Sequence, residues 1–166
     1  MADIWNKSPV DYEHNAKQTN CNVKEEEITL KKVELNQLKP EEFSALFNSV
    51  GWEAPSVEQI KIALNHSICT FSLYEDNKLI GMARLLGDRA MSFYVKDFVV
   101  LPQSQSQGNG KLLMDTIITT IKDSLSNGYK VSVELISSKG KEGFYERFGF
   151  EKRPCEHDGA GMFMMI

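Results

Sequence analysis

The sequence predicts an α/β (α+β) domain, and three observations carry that prediction. Two stretches between residues 40 and 65 repeat apolar residues at helical spacing. A meander of three strand-like runs follows them, and the last run feeds a glycine-containing turn that opens a third helix. That last feature organises the chain. Phe98, Val99, Val100 and Leu101 read as the end of a buried strand, stopped at Pro102, which cannot donate to a sheet ladder. Gly108-Asn109-Gly110 then leads into Leu112, Leu113, Ile117, Ile118, Ile121 and Leu125, which predicts a helix over about 108–126.

Taken in order, residues 1–27 are polar and end in Glu25-Glu26-Glu27, so they read as a flexible extension ahead of one domain over 28–166. Ile28, Leu30, Val33 and Leu35 make a first strand over 28–35. Pro40, Glu41 and Glu42 open a helix whose apolar face is Phe43, Leu46, Phe47 and Val50, closed by Gly51. Ser56 with Gln59 three residues on is a capping-box start for a second helix carrying Val57, Ile60, Ile62, Ala63 and Leu64. Residues 68–74 and 78–86 form a hairpin about Asp76-Asn77, and Gly87-Asp88-Arg89 turns into a fourth strand over 92–101. Residues 130–136 make the fifth strand.

Composition narrows the function classes. The 166 residues carry a net charge of -4, which argues against nucleic acid and suits a cationic acceptor. No window approaches a membrane span, and the N-terminus has no apolar run of signal-peptide type, so no membrane partner and a cytoplasmic location are expected. Cys21, Cys69 and Cys155 are odd in number and widely spaced, the usage of free thiols in a reducing compartment. Cys155-Glu156-His157-Asp158 places ligand types side by side, but consecutive residues in a loop lack zinc spacing, and no metal is expected.

The strand, turn and helix start leave backbone N–H groups without partners and aim the helix dipole at one point, which makes an anion site. A Walker-type loop would need Gly where Gln105 stands and Ser or Thr where Leu112 stands. A dinucleotide fingerprint counted from Gly108 would need Gly where Leu113 stands. Both fail.

What fits is Gln105-x-x-Gly108-x-Gly110 after Val100-x-Pro102. With it comes a second segment, Gly143-Phe144-Tyr145-Glu146-Arg147-Phe148-Gly149-Phe150. Together these resemble the GNAT superfamily of acetyl-CoA-dependent N-acetyltransferases, over roughly residues 28–166. The resemblance implies a mixed, mostly antiparallel central sheet of six to seven strands, splayed between the fourth and fifth, with about four helices. Short helix and strand would meet near Phe150, and a last strand would cover 162–166.

It also implies roles. The amides of Ser106, Gln107, Gly108, Asn109, Gly110 and Lys111, after Gln105, would hold the coenzyme A pyrophosphate. Lys111 and Lys139 would add screened charge. The backbone of Phe98, Val99 and Val100 would take the pantetheine arm as a pseudo-strand, and the N–H of Val99 or Val100 would meet the developing oxyanion. Ser138 would stand in for the family's pantetheine-bonding Asn. Tyr145 would hydrogen-bond the departing thiolate. Asp97, read as sharing a face with Phe93, Val95 and Val99 and so raised in pKa, and Glu134, beside Ser132 and Ile136, are the candidate bases. Trp52, Glu53 and His66 would border the acceptor, with Trp52 read first as a half-buried anchor. The expected activity is acetyl transfer from acetyl-CoA to a primary amine, of a small molecule, by direct attack in a ternary complex. An acyl-CoA sensor without turnover and a protein or peptide N-acetyltransferase are the alternatives. The oligomeric state stays open in the sequence, with a homodimer one option because dimers are frequent among similar proteins.

Overall fold

The computed structural model describes residues 30–165, together with the backbone of residues 10–11. Ile28, Ile166 and, apart from those two positions, the expected extension with its Trp5, Tyr12 and Cys21 lie outside the described residues. The chain falls into two compact units, Met1–Val133 and Glu134–Ile166.

The first unit holds β1 (Val10–Asp11), β2 (Lys31–Leu35), α1 (Pro40–Ser49), α2 (Val57–Asn65), β3 (Cys69–Glu75), β4 (Lys78–Gly87), β5 (Ser92–Val100) and α3 (Asn109–Ser124). β6 (Ser132–Leu135) starts in it, and the strand order is β1-β2-β3-β4-β5-β6. Every pairing from β1 to β5 is antiparallel. Ser132 N–H donates to Met91 O at 3.0 Å, joining the start of β6 to the residue before β5. The second unit holds α4 (Glu142–Glu146).

Local chemistry explains most boundaries. Lys39 N–H bonds the Glu42 carboxylate at the start of α1, and Pro40 sits where a missing N–H costs nothing. Gly51 closes α1 with φ +79. Ser56 Oγ accepts from Gln59 N–H at 3.2 Å, the cap expected for α2. Asp76 and Asn77 take φ of 48° and 62°, the pair of positive values that a two-residue hairpin turn requires. Five consecutive residues of β3, Cys69 to Leu73, are buried, so both sheet faces are covered. Met82 and Val99 pack with Leu38, Phe43, Leu46 and Ile60 under α1 and α2. Leu113, Met114, Ile117 and Ile121 line the buried stripe of α3, which packs on β3, β4 and β5. Each such buried side chain contributes about 1.5–3 kcal/mol.

Four expectations need correcting. Among the described residues, 150–165 form no strand, so the strands near Phe150 and at 162–166 are absent. Phe148, Gly149 and Phe150 instead wrap the end of α4: Phe148 N–H and Phe150 N–H both reach Tyr145 O, and Gly149 N–H reaches Glu146 O with φ +89. Met162, Phe163, Met164 and Met165 are 76–94% exposed; an apolar run is no strand without a neighbour to complete its ladder. The sheet therefore has five strands of four residues or more, β2 to β6, plus the two-residue β1. β1 is the second correction: two residues of the expected extension pair with β2, Val10 with Val33 and Asp11 with Lys32. Third, Leu30 lies before β2 and is exposed.

The fourth concerns Asp97. Register between β4 and β5 shifts between Met82 and Arg84: Lys96 faces Arg84, Val99 faces Met82, and Asp97-Phe98 together oppose Ala83. That is a β-bulge, with Asp97 at φ +50. One extra residue breaks the alternation. Val100, not Val99, continues the side of Phe93 and Val95, and Val99 turns to the Met82 side. Asp97 is therefore no carboxylate among apolar neighbours of one face.

Candidate functional site

The turn after β5 is built by side chains that bond its own backbone. Leu101 N–H donates to Ile80 O, and Pro102–Ser104 form a 3-10 turn. Gln105 Nε2 donates to Val100 O at 3.0 Å, Gln107 Nε2 to Gln103 O at 2.8 Å, and Asn109 Nδ2 to Ser104 O at 2.9 Å. Asn109 is only 1% exposed. These amides shape the loop, so what the loop offers outward is main chain. Ser106 and Gly108 both take positive φ, 61° and 80°, and Gly108 is the N-cap of α3. Leu112 N–H makes the first helical bond, to Gly108 O. Among the described residues, the N–H groups of Ser106, Gln107, Gly108, Asn109, Gly110 and Lys111 donate to no protein acceptor. A run of such donors at the positive end of a 16-residue helix is the kind of geometry that favours anions. Lys111 adds less, since its Nζ is held by Asp115 at 2.6 Å on the exposed helix face.

The strand end behind this turn has a defined polarity. Leu101 N–H points to β4, and Val99 O lies against Gly81 of β4. Alternation then turns the N–H and C=O of Val100 the other way, and Val100 O does accept from Gln105 rather than from β4. Of the two expected oxyanion donors, Val99 and Val100, the latter is the one whose N–H faces away from its ladder partner.

Asp97 is engaged. Arg84 Nε donates to Asp97 Oδ2 at 2.6 Å, with the two side chains 11% and 9% exposed. Arg84 Nη1 also donates to Ala63 O in the last turn of α2 and to Ser67 Oγ, and the guanidinium lies 6.0 Å from the centre of the Phe43 ring. That pairing already occupies the Asp97 carboxylate, which opposes a base role. Arg84 was missed in the sequence, although a lone cation inside the apolar run from Leu79 to Leu86 needs a partner. The α1–α2 loop carries Trp52, exposed at 37% and edge-on to Phe47 at 4.9 Å. His66 caps α2, with Nδ1 2.8 Å from Ile62 O.

In the second unit, Glu134 sits 3.6 Å from Arg153, which also pairs with Asp158 at 3.0 Å. Ser138 O accepts from Ser137 Oγ and Lys141 N–H. Tyr145 lies edge-on to Phe144 at 5.0 Å and to Phe150 at 6.1 Å. Burial pushes its phenol up to about 12, so the O–H stays a donor at neutral pH. No group of three His, Cys, Asp or Glu among the described residues is placed to hold a metal ion. None of the described helices is long and apolar enough to cross a membrane.

Residues 34–166 match the family model of the acetyltransferase (GNAT) domain. The chain belongs to the GNAT acetyltransferase family. An uncharacterized N-acetyltransferase of Gracilaria tenuistipitata var. liui is 37% identical over 123 residues, 71% of this chain and 64% of that protein. Its counterpart in Porphyra purpurea is 32% identical over 146 residues, 83% and 80% of the two chains. The chain thus spans a little under two thirds of the first relative. A probable acetyltransferase from methicillin-resistant Staphylococcus aureus superposes with a TM-score of 0.72 at 31% identity, over 82% of this chain and all of that one. Membership as a GNAT acetyltransferase accords with the loop and the Tyr145 segment, the two stretches that carry the resemblance in the sequence.

Proposed function

We propose that this GNAT protein transfers acetyl from acetyl-CoA to a primary amine of a small molecule, by direct attack in a ternary complex. The observation that carries the reading is the run of unpaired N–H groups from Ser106 to Lys111 at the head of α3, continuous with the strand end at Val100. A diphosphate needs several donors and no intervening carboxylate, and the loop supplies that. Acetyl-CoA supplies an activated acyl carbon as a thioester. In this reading the loop amides bind the diphosphate, and the strand end at Val100, whose backbone faces away from β4, orients the pantetheine arm. The Val100 N–H donates to the carbonyl oxygen as it gains charge.

Two demands remain. An amine with pKa about 10.4 must lose a proton at neutral pH, which costs roughly 4–5 kcal/mol. With Asp97 held by Arg84, and Glu134 paired with Arg153, ordered water is the simplest base, with Glu134 the side chain to test. The departing thiolate needs a hydrogen bond, which we assign to Tyr145. Giving its proton outright, from a phenol at about 12 to a thiolate near 8.5, would run uphill by roughly 5 kcal/mol. Donation without transfer, or relay of a proton from the attacking ammonium, avoids that cost. The reading places the protein in a reducing cytoplasm. There Cys69, buried and pushed up to about 12, stays an inert thiol.

The test is release of free thiol from acetyl-CoA across a panel of polyamines, aromatic amines, amino sugars, amino acids and peptides. Release stimulated by small amines supports the reading. Stimulation by peptides alone moves the acceptor to protein, and binding of coenzyme A with no stimulated release leaves a sensor. Absence of any affinity for coenzyme A defeats all three.

A further inference from the structure

We infer that Arg84 and Asp97 form a positioning pair that locks the bulge of β5 to the last turn of α2, and thereby fixes which way the Val100 N–H points. The inference rests on the acetyl-transfer reading for its catalytic consequence and on geometry for the lock itself.

The bulge needs a restraint. It places a non-glycine residue, Asp97, at φ +50 inside a strand. It also sets everything downstream: Val99 packs its side chain with Met82, Phe43 and Leu46, Leu101 N–H reaches Ile80 O, and Val100 O takes Gln105. Losing the extra residue would shift β5 by one position, and a one-residue slip exchanges the two faces of a strand. Val99 would then face where Val100 now does, and the N–H that points away from β4 would belong to the wrong residue.

Arg84 supplies the restraint in three directions. Its Nε holds the Asp97 carboxylate at 2.6 Å, and its Nη1 holds Ala63 O at 3.1 Å and Ser67 Oγ at 3.3 Å. Ser67 Oγ in turn donates to Ala63 O at 2.8 Å, closing the knot at the helix end. A planar guanidinium fixes angles that an ammonium does not. The pair is largely buried, and buried ion pairs replaced together by apolar groups are often no less stable. Stability alone is therefore a poor account of it, whereas orientation of the strand end is a direct one.

The test uses the full chain with Asp97→Asn, Arg84→Lys and the paired Arg84→Met/Asp97→Leu. Amide hydrogen exchange should rise roughly tenfold or more in the single variants at both Ser67 and Leu101, with Ile117 and Ile121 of α3 unmoved. Turnover should fall by roughly ten- to a hundredfold while acetyl-CoA affinity stays within about threefold. The paired apolar variant should regain the parent's thermal midpoint and remain slow, which a merely structural role would not produce. Unchanged exchange in folded single variants, a rise at one end only, or a paired variant with parental turnover overturns the inference. A parent protein that transfers no acetyl group defeats the catalytic reading, and the exchange measurement still decides the lock.

Discussion

Gln105 reaches back to Val100, its Nε2 donating to the carbonyl at 3.0 Å, so the first residue of the loop motif is tied to the last residue of the strand. The motif's glutamine thus acts on the protein's own backbone. Gln105→Ala should cost about 0.5–1.5 kcal/mol of acetyl-CoA binding, roughly a 2- to 13-fold weaker Kd, with little change in thermal midpoint. Titration calorimetry checks it, and an unaltered Kd would show that the loop keeps its shape without the tie.

Two glycines are required for different reasons. A Cβ on Gly108 would meet nothing within 4 Å, so its φ of +80 is the whole penalty. A Cβ on Gly87 would sit 2.2 Å from Ser92 O, at φ +139. Gly108→Ala should cost about 1–2 kcal/mol and Gly108→Asn less, because Asn tolerates the left-handed region. Gly87→Ala must also move a strand backbone and should cost more than either. Denaturant midpoints that rank the two alanine variants the other way would contradict this.

Tyr145→Phe keeps the ring contacts with Phe144 and Phe150 and deletes only the hydroxyl. Turnover should drop by about one to three decades while acetyl-CoA affinity barely moves. Because burial lifts the phenol to about 12, the parent's rate should show no loss from Tyr145 ionisation between pH 7 and 10. Steady-state kinetics over that range, with and without the hydroxyl, tests both statements.

Asp88 Oδ1 accepts from the N–H groups of Ala90, Met91 and Ser92 at 2.9, 2.8 and 3.0 Å. Those bonds, that to Ser92 foremost, lower its pKa from 3.8 to about 2. A depressed carboxylate stabilises the fold above its unfolded pKa, and that contribution is lost as pH falls from 3.8 towards 2. Asp88→Ala should be less stable than the parent at neutral pH, with the gap closing across that window. Urea unfolding at a series of pH values reads the slope; parallel curves would remove Asp88 as its source.

Much of the fold was legible because its signals are local. Ser56 with Gln59, Asp76-Asn77 and Gly108 each state a backbone conformation through the chemistry of one or two residues, and each is found as read. The α3 stripe of Leu113, Ile117 and Ile121 was legible for the same reason, since a period of 3.6 needs no knowledge of what it packs against. The final strands failed because a strand is defined by its neighbour. Phe150 has the right side chain for a sheet, yet its N–H is already taken by Tyr145 O. Asp97 failed because counting by twos assumes an unbroken ladder, and a bulge is visible only when two strands are laid side by side.

By itself the sequence determined the order of helices and strands, the glycine-bearing turn at the head of α3, and the two segments that mark the chain as a GNAT acetyltransferase. These rest on short-range conformational preference, which each stretch carries with it wherever it is placed. Tertiary structure alone decided that Arg84 meets Asp97 and α2, and that Val100 rather than Val99 turns its N–H away from β4. The reason is physical: register and charge pairing belong to two segments at once, and neither segment contains the information without the other.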